Sequence, residues 1–275
     1  MAFGDLTRIN TNIQSMQSLF ELQKSNAELG TRQLRLATGN RINRAEDDSA
    51  GFSIGMKLES RVRGQAAALA NIGDAKSMLG IAEGSLGTIQ EILMTMKEKV
   101  IQGANDTLGS FERTLINNQL HALSTEINSI ISSTTFNGVS VFTTGSFQFQ
   151  VGAGSTDTFQ VTVGALSAGA LGVGSTSLSV SSANSATGSL AGIDSAINTI
   201  ASTLGSLGDN QLALSFKEEN LNVNMINQDA ARSRIMDADF AKEQIEIVKL
   251  QILQQTGVAA VSQANLGPQV VLSLL

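Results

Sequence analysis

The sequence predicts a mainly α fold: a long antiparallel coiled-coil helical rod with a small β-hairpin region in the middle. Three observations carry the prediction. Apolar residues recur at heptad spacing along most of the chain, two alternating runs flank a Gly-rich connection near the centre, and 275 residues contain a single proline. Proline removes a backbone donor and breaks helices, so its near absence is what long helices require.

In chain order, Leu6, Ile9, Ile13, Met16, Phe20, Ala27 and Leu34 fit 3- and 4-residue steps, with Gln23 and Gly30 as gaps. This predicts one amphipathic helix whose own segment offers nothing to cover its stripe. Ile72, Leu79, Leu86, Leu93 and Val100 then recur every seven residues, followed at three residues by Ala75, Ala82, Ile89 and Met96. That is an a/d seam, predicting a helix over 45–102, on the order of 85 Å long at about 1.5 Å per residue. Ile116, Leu120, Leu123, Ile127 and Ile130 make a second seam over 111–133.

The middle changes period. Phe147, Phe149 and Val151 alternate with polar residues, and Phe159, Val161 and Val163 do so again after GAGSTDT. Two period-2 runs around such a connection predict a β-hairpin. Val139 and Val141, following the turn pair Asn137-Gly138, predict a short strand before it. Residues 164–188 are mainly Gly, Ala, Ser and Thr and are expected to form a surface loop.

A third seam over 189–228 runs through Leu190, Ile193, Ile197, Ile200, Leu204, Leu207, Leu214, Leu221 and Met225, broken by Gln211 and Glu218. Ile245, Val248, Ile252 and Ala259 close the pattern, with Ile247, Leu250 and Leu253 widening the apolar face. A lone helix is marginal in water because its stability comes mostly from packing. The two end segments are therefore expected to pair with each other, pair with other copies, or stay unfolded.

Composition excludes most chemistry. The chain has no cysteine, so disulfides, thiolate metal sites and cysteine nucleophiles are absent together. Its one histidine, His121, excludes two-His zinc sites and reads as a helix-surface residue rather than a ligand. Acids outnumber bases, 24 against 18, which disfavours a nucleic-acid partner. Between Thr114 and Phe216 there is no Lys or Arg at all, so a neutral middle separates two charged outer parts. No apolar run approaches the roughly 20 residues that span a bilayer. MAFGDLTRINTNIQSM lacks an apolar stretch behind a basic start, which predicts no cleavable secretory signal. GAGSTDT lacks a following Lys and lies inside a hairpin, so it is not read as a phosphate cradle. No catalytic, cofactor or metal site is expected.

Several segments resemble bacterial flagellins. LATGNRINRAEDDSAGFSI, Leu36–Ile54, is similar to the family's Leu-x-x-Gly-x-Arg-Ile-Asn and Ala-x-Asp-Asp-x-Ala-Gly signature. ARSRIMDADFAK, QILQQTG and the last fourteen residues, SQANLGPQVVLSLL, resemble its C-terminal patterns. Leu266-Gly267 stands where the family has a more polar pair, and the chain stops at Leu275 without the basic residue that often closes it; both departures are expected to adjust inner packing. The resemblance implies a minimal filament subunit: 1–40 and 233–275 form an inner-core domain, 41–163 and 189–232 an outer-core rod with the hairpin, and 164–188 the neutral loop.

The same resemblance implies a self-polymerising structural protein, not an enzyme, whose terminal helices fold on assembly and which serves swimming motility in the extracellular filament. Implied partners are other copies of itself, the flagellar export apparatus, an export chaperone binding the C-terminal region, and the cap and junction proteins, with no nucleic acid and no membrane. A hook–filament junction protein and a secreted coiled-coil component of a related type III export system are the alternatives. The implied polymerisation interface comprises Leu6, Ile9, Ile13, Met16, Phe20, Leu34, Ile245, Val248, Ile252, Leu272 and Leu275. For Arg41, Arg44, Asp47 and Asp48 two readings stand: a solvated linker with helix-capping acids, or a subunit contact, towards which the resemblance leans. Ser175, Thr176, Ser177, Ser179 and Ser181 are either O-glycosylation positions, as the resemblance implies, or plain loop composition.

Flagellins are sensed by an innate-immune Toll-like receptor through an Arg, a Leu and a Glu on the outer-core helices. Ungapped alignment from Gln102-Gly103-Ala104-Asn105 and Phe136-Asn137-Gly138 places Thr95, Lys99 and Gln119 at those positions. The expected outcome is weak receptor activation, and full-strength signalling in reporter cells contradicts it.

Overall fold

A computed structural model describes residues 11–272, with side chains as far as Leu266. Its elements are α1 (Ile13–Thr38), α2 (Ser49–Gly103), α3 (Ser110–Ser133), β1 (Thr135–Phe136), β2 (Val139–Ser140), β3 (Phe147–Gln150), β4 (Thr158–Val161), α4 (Ala183–Met236) and α5 (Phe240–Leu272). Contacts divide the chain into unit 1, Met1–Ser60 with Asn227–Leu275, and unit 2, Arg61–Ile226.

Unit 2 is built on the heptads. All nine residues of the first seam, from Ile72 and Ala75 to Met96 and Val100, are fully buried. Ile116, Leu120 and Ile127 of α3 and Ile193, Ile200, Leu207, Leu214 and Leu221 of α4 join them in one apolar cluster. The two breaks in the α4 seam have a structural reason. Gln211 donates to Glu83 Oε2 at 2.9 Å, and Glu218 accepts from Lys76, so polar partners on α2 occupy those places. As the α2 partner advances one heptad from 76 to 83, the α4 partner retreats one heptad from 218 to 211. Lys97 Nζ on Asp194 at 2.6 Å continues the trend, so α2 and α4 run antiparallel here.

The strands cover one part of this cluster. β1 and β2 pair antiparallel with Phe136 opposite Val139. Their two-residue turn puts Asn137 at φ 49° and Gly138 at φ 78°, the left-handed pair that an Asn-Gly hairpin requires. β3 and β4 pair with Phe149 opposite Phe159, while Val151, Val161 and Val163 are buried. In the connecting loop Asp157 Oδ2 accepts from the backbone N–H of Gly154 at 2.9 Å. The chain's own carboxylate thus fills the turn that a phosphate would need.

Residues 164–188 correct the expectation of a surface loop. The segment up to Ser182 is irregular, yet Ala168, Leu171, Val173, Leu178 and Val180 are buried in the main cluster. Asn128 Oδ1 accepts from the Ala168 backbone N–H at 3.0 Å. The apolar residues follow one another at steps of 3, 2, 5 and 2, so no sustained period reveals them. Helix α4 also starts earlier than expected, at Ala183, where the Ser182 hydroxyl accepts from the Ser185 backbone N–H at 3.2 Å.

In unit 1, α1 packs against α5. The expected domain boundaries at 40/41 and 232/233 both fall inside this unit, because the turn after α1 is bonded to the end of α4. Arg41 donates through its backbone N–H to Met236 O and through Nη2 to Ile235 O, each at 2.6 Å, and Ala238 N–H donates to Gly39 O at 2.8 Å.

Truncating Leu86, fully buried in the unit 2 cluster, to alanine should destabilise the protein by about 2–5 kcal/mol, whereas Ile81→Ala on the exposed side of α2 should cost well under 1 kcal/mol. Thermal and denaturant melts followed by circular dichroism check the contrast, and equal losses would contradict this assignment of the core.

Candidate functional site

Helix α1 contains no buried residue. Its half-buried positions, Asn12, Ser15, Ser18, Leu22, Ser25, Leu29, Arg32 and Leu36, follow 3- and 4-residue steps and form the face towards α5. The facing line on α5 is Glu243, Ile247, Leu250, Gln254, Gly257, Val261 and Ala264, again in alternating 4- and 3-residue steps. This is a heptad seam in which Leu22, Leu29, Leu36, Ile247, Leu250 and Val261 alternate with small and polar side chains, and of these apolar members only Ile247 and Leu250 stand in the face read from the sequence. Gln254 Nε2 donates to Asn26 Oδ1 at 2.8 Å, and Asn12 Nδ2 donates to Ala264 O at 2.8 Å. A Cβ on Gly257 would meet Leu22 Cδ1 at 3.1 Å, so glycine lets the two helices approach there.

The apolar stripe read from the sequence faces the other way. Ile13, Met16, Phe20 and Leu34 are all exposed, as are Ile245, Val248 and Ile252, with Ile245 68% exposed. At 100° per residue, each stripe lies roughly 160° around its helix from the α1–α5 seam. The pair therefore has two apolar outer flanks. Large side chains in contiguous lines on a surface mark an interaction site. Leu6, Ile9 and Leu275 lie outside the described residues, as does the side chain of Leu272.

At the base of unit 1, Glu243 is buried and accepts two bonds from Arg32 Nη1, both at 2.9 Å. Arg35 Nη1 lies 3.8 Å from the same carboxylate and its Nη2 lies 4.0 Å from Asp47. Helix α1 stops at Gly39, whose φ of 72° suits a left-handed helix end, and its N–H returns to Arg35 O. Ile42 is buried in the turn that follows. Asp47 Oδ2 accepts from the backbone N–H of Asn43 and of Arg44, both at 3.0 Å. Asp48 Oδ1 accepts from the Gly51 backbone N–H at 2.9 Å and so caps α2. A Cβ on Gly51 would come within 2.4 Å of Asp48 and 2.7 Å of Ile42, and one on Gly55 within 2.4 Å of Met236 Sδ. The Gly51 of the signature motif is thus a packing requirement.

Of the four charged residues singled out there, Arg41, Asp47 and Asp48 are engaged within the chain, which supports the capping reading. Arg44 pairs with Glu46 at 3.1 Å, and both side chains are mostly exposed. The positions aligned with the receptor contacts are Thr95 and Gln119, both exposed, and Lys99, half-buried; Thr95 Oγ1 donates back to Glu91 O at 3.0 Å. Ser175, Thr176, Ser177 and Ser181 are exposed, whereas Ser179 is half-buried. His121 faces Asn117 within α3, with Nε2 at 3.3 Å from Nδ2.

Comparison with known proteins agrees with this architecture. Residues 9–146 match the bacterial flagellin N-terminal helical region, and residues 190–275 match the bacterial flagellin C-terminal helical region. A flagellin of Halalkalibacterium halodurans is 32% identical over 243 residues, covering 88% of this chain and 89% of the relative. A flagellin of Bacillus subtilis is 33% identical over 303 residues, covering 98% and 99%. A solved flagellar hook-associated protein from Vibrio parahaemolyticus is similar in fold, with TM-score 0.58 at 16% identity, over 70% of this chain and 100% of that one.

The backbone N–H bonds from Asn43 and Arg44 hold the Asp47 carboxyl below its ordinary pKa, with the charges of Arg35 and Arg44 adding to them against a small desolvation cost. A depressed carboxylate stabilises the folded turn above its unfolded pKa of about 3.9 and loses that contribution as pH falls through the lower folded value. Asp47→Asn should therefore melt below wild type at pH 7, and the gap should close as pH falls below about 4. A gap in melting temperature that stays constant from pH 7 to pH 3 would contradict this role.

Proposed function

The chain belongs to the bacterial flagellin family and is a structural subunit of the flagellar filament, and from that premise we propose that the two apolar flanks of its end-helix pair are its polymerisation faces. The observation that carries the reading is the opposition of seam and stripe on both α1 and α5. Ile13, Met16, Phe20 and Leu34 on one helix and Ile245, Val248 and Ile252 on the other are left exposed by the described residues. Packing of these flanks against other copies removes them from water. A contact that joins different patches on successive copies propagates a helical polymer when its rotation does not close into a ring.

The α1–α5 seam interleaves its Leu, Ile and Val residues with Ser, Gln and Gly, and no residue of α1 is fully buried by it, so pairing within one chain is only partly driven. In this reading the end helices gain most of their stability on entering the filament, and folding is coupled to assembly. Passage through the export apparatus, protection of the C-terminal region by a chaperone, release outside the cell and incorporation under a cap protein follow as one sequence of events for a subunit whose ends order last. A chain without cysteine meets no disulfide obstacle on that route. Swimming motility is the use of the polymer, and subunits act mechanically by resisting bending and transmitting torque. The junction-protein reading is disfavoured, because the matches over both terminal regions are to flagellins themselves.

Placing a charge in either flank should abolish polymerisation without unfolding the monomer. Phe20→Asp and Ile252→Asp subunits, seeded with wild-type filament fragments, are expected to stay soluble in electron micrographs while keeping the unit 2 melt. Normal filaments from both variants would refute the assignment of these faces.

A further inference from the structure

Among the described methionines, Met78, Met96 and Met236 are buried, and Met225 is half-buried. Met56 and Met94 are 47% and 48% exposed, and Met16 is the most open of the set at 65%. Met16 also sits between Ile13 and Phe20 in the outward stripe of α1, and its nearest polar interruption in that line is Gln23, one heptad on. We propose that Met16 is an oxidation site that controls assembly: a peroxide reaching the free subunit converts it to the sulfoxide, and the oxidised subunit is excluded from the filament. This rests on the reading of the stripe as a polymerisation face.

The chemistry balances with a peroxide as the named oxidant. The thioether sulfur attacks the distal peroxide oxygen, the O–O bond breaks, an S–O bond forms, and hydrogen peroxide leaves as water. Sulfur is oxidised by two electrons and the peroxide is reduced by two. The product carries a strong S–O dipole where the flanking stripe residues Ile13 and Phe20 are hydrocarbon, and burying a polar group without a partner opposes packing. A sulfoxide is reducible by methionine sulfoxide reductases, so the block is reversible. Once the subunit is in the filament, the same packing that needs a reduced Met16 shields it, so the reaction acts on subunits before assembly.

The test treats full-length monomer and preformed filament with hydrogen peroxide, maps sulfoxides by peptide mass spectrometry, and measures the critical concentration for seeded growth. Expected results are Met16 oxidation in monomer but not filament, and a critical concentration raised roughly tenfold or more. Reductase treatment should restore growth, and Met16→Leu subunits should grow normally after peroxide although Met56 and Met94 are still oxidised. Equal peroxide sensitivity of Met16→Leu and wild type overturns the proposal, as does normal growth of monomer oxidised at Met16. The Phe20→Asp variant separates the two levels. If it also assembles, the stripe is not a polymerisation face; if it fails while oxidised Met16 assembles, only the oxidation control falls.

Discussion

A pair of helices can bury one face of each helix against the other, and the remaining circumference must be acceptable to water or to another partner. In unit 1 that constraint is met in an unusual way. The inner line mixes Leu22, Leu29, Leu36, Ile247 and Leu250 with Ser15, Ser18, Ser25, Gln254 and Gly257, while a second apolar line, with Ile13, Met16, Phe20, Ile245 and Ile252, is left outside. Folding of a monomer alone gives no reason to leave that second line in water, since burial of large side chains contributes on the order of 1.5–3 kcal/mol each. The arrangement makes sense only if the outer lines have their own partners. A family whose members polymerise supplies such partners in the form of identical copies.

Apolar residues between α1 and α5 alternate with Ser, Gln and Gly, so a polar contact also bears on their register. The Arg32–Glu243 bond pair with Arg35 nearby is the strongest candidate, because a buried carboxylate tolerates no slippage away from its guanidinium partners. Removing one partner of such a pair leaves a buried charge, which costs several kcal/mol, even where the intact pair adds little net stability. The adjoining turn is held by local contacts as well. Gly39, Arg41, Asp47, Asp48, Gly51 and Gly55 each satisfy a local demand of backbone hydrogen bonding or close approach. The signature motif therefore fastens the turn after α1 within unit 1, and its charged look from sequence conceals mostly intrachain bonds.

The helices of unit 2 are legible, because the first seam is apolar at every position, Ala75 and Ala82 included, and repeats at seven, so burial follows the repeat directly. Even the irregularities at Gln211 and Glu218 stand out as gaps, although their bonds to Glu83 and Lys76 need the antiparallel register to be known. Legibility fails in two places. In the 164–182 segment Leu171, Val173, Leu178 and Val180 are buried without a sustained period, and in the α1–α5 seam Ser18 or Gly257 carry no hydrophobic signal of their own. Where side chains are small, burial is decided by what lies opposite, and a single sequence does not display that. The outward stripes were visible for the converse reason, though the direction in which they face is a property of the pair.

The two units thus separate two tasks that often compete. Unit 2 holds a contiguous apolar cluster contributed by its own helices, strands and irregular segment, so its stability does not wait on another molecule. Unit 1 keeps its large apolar residues available and relies on polar register-setting bonds. A change in the outer stripes can then alter association while leaving the heptad core as it was, and a core change can weaken the subunit without changing what it binds. A subunit that must remain soluble before assembly and hold firmly afterwards needs that separation, since flanks that satisfied themselves inside one chain would have nothing left to offer the next.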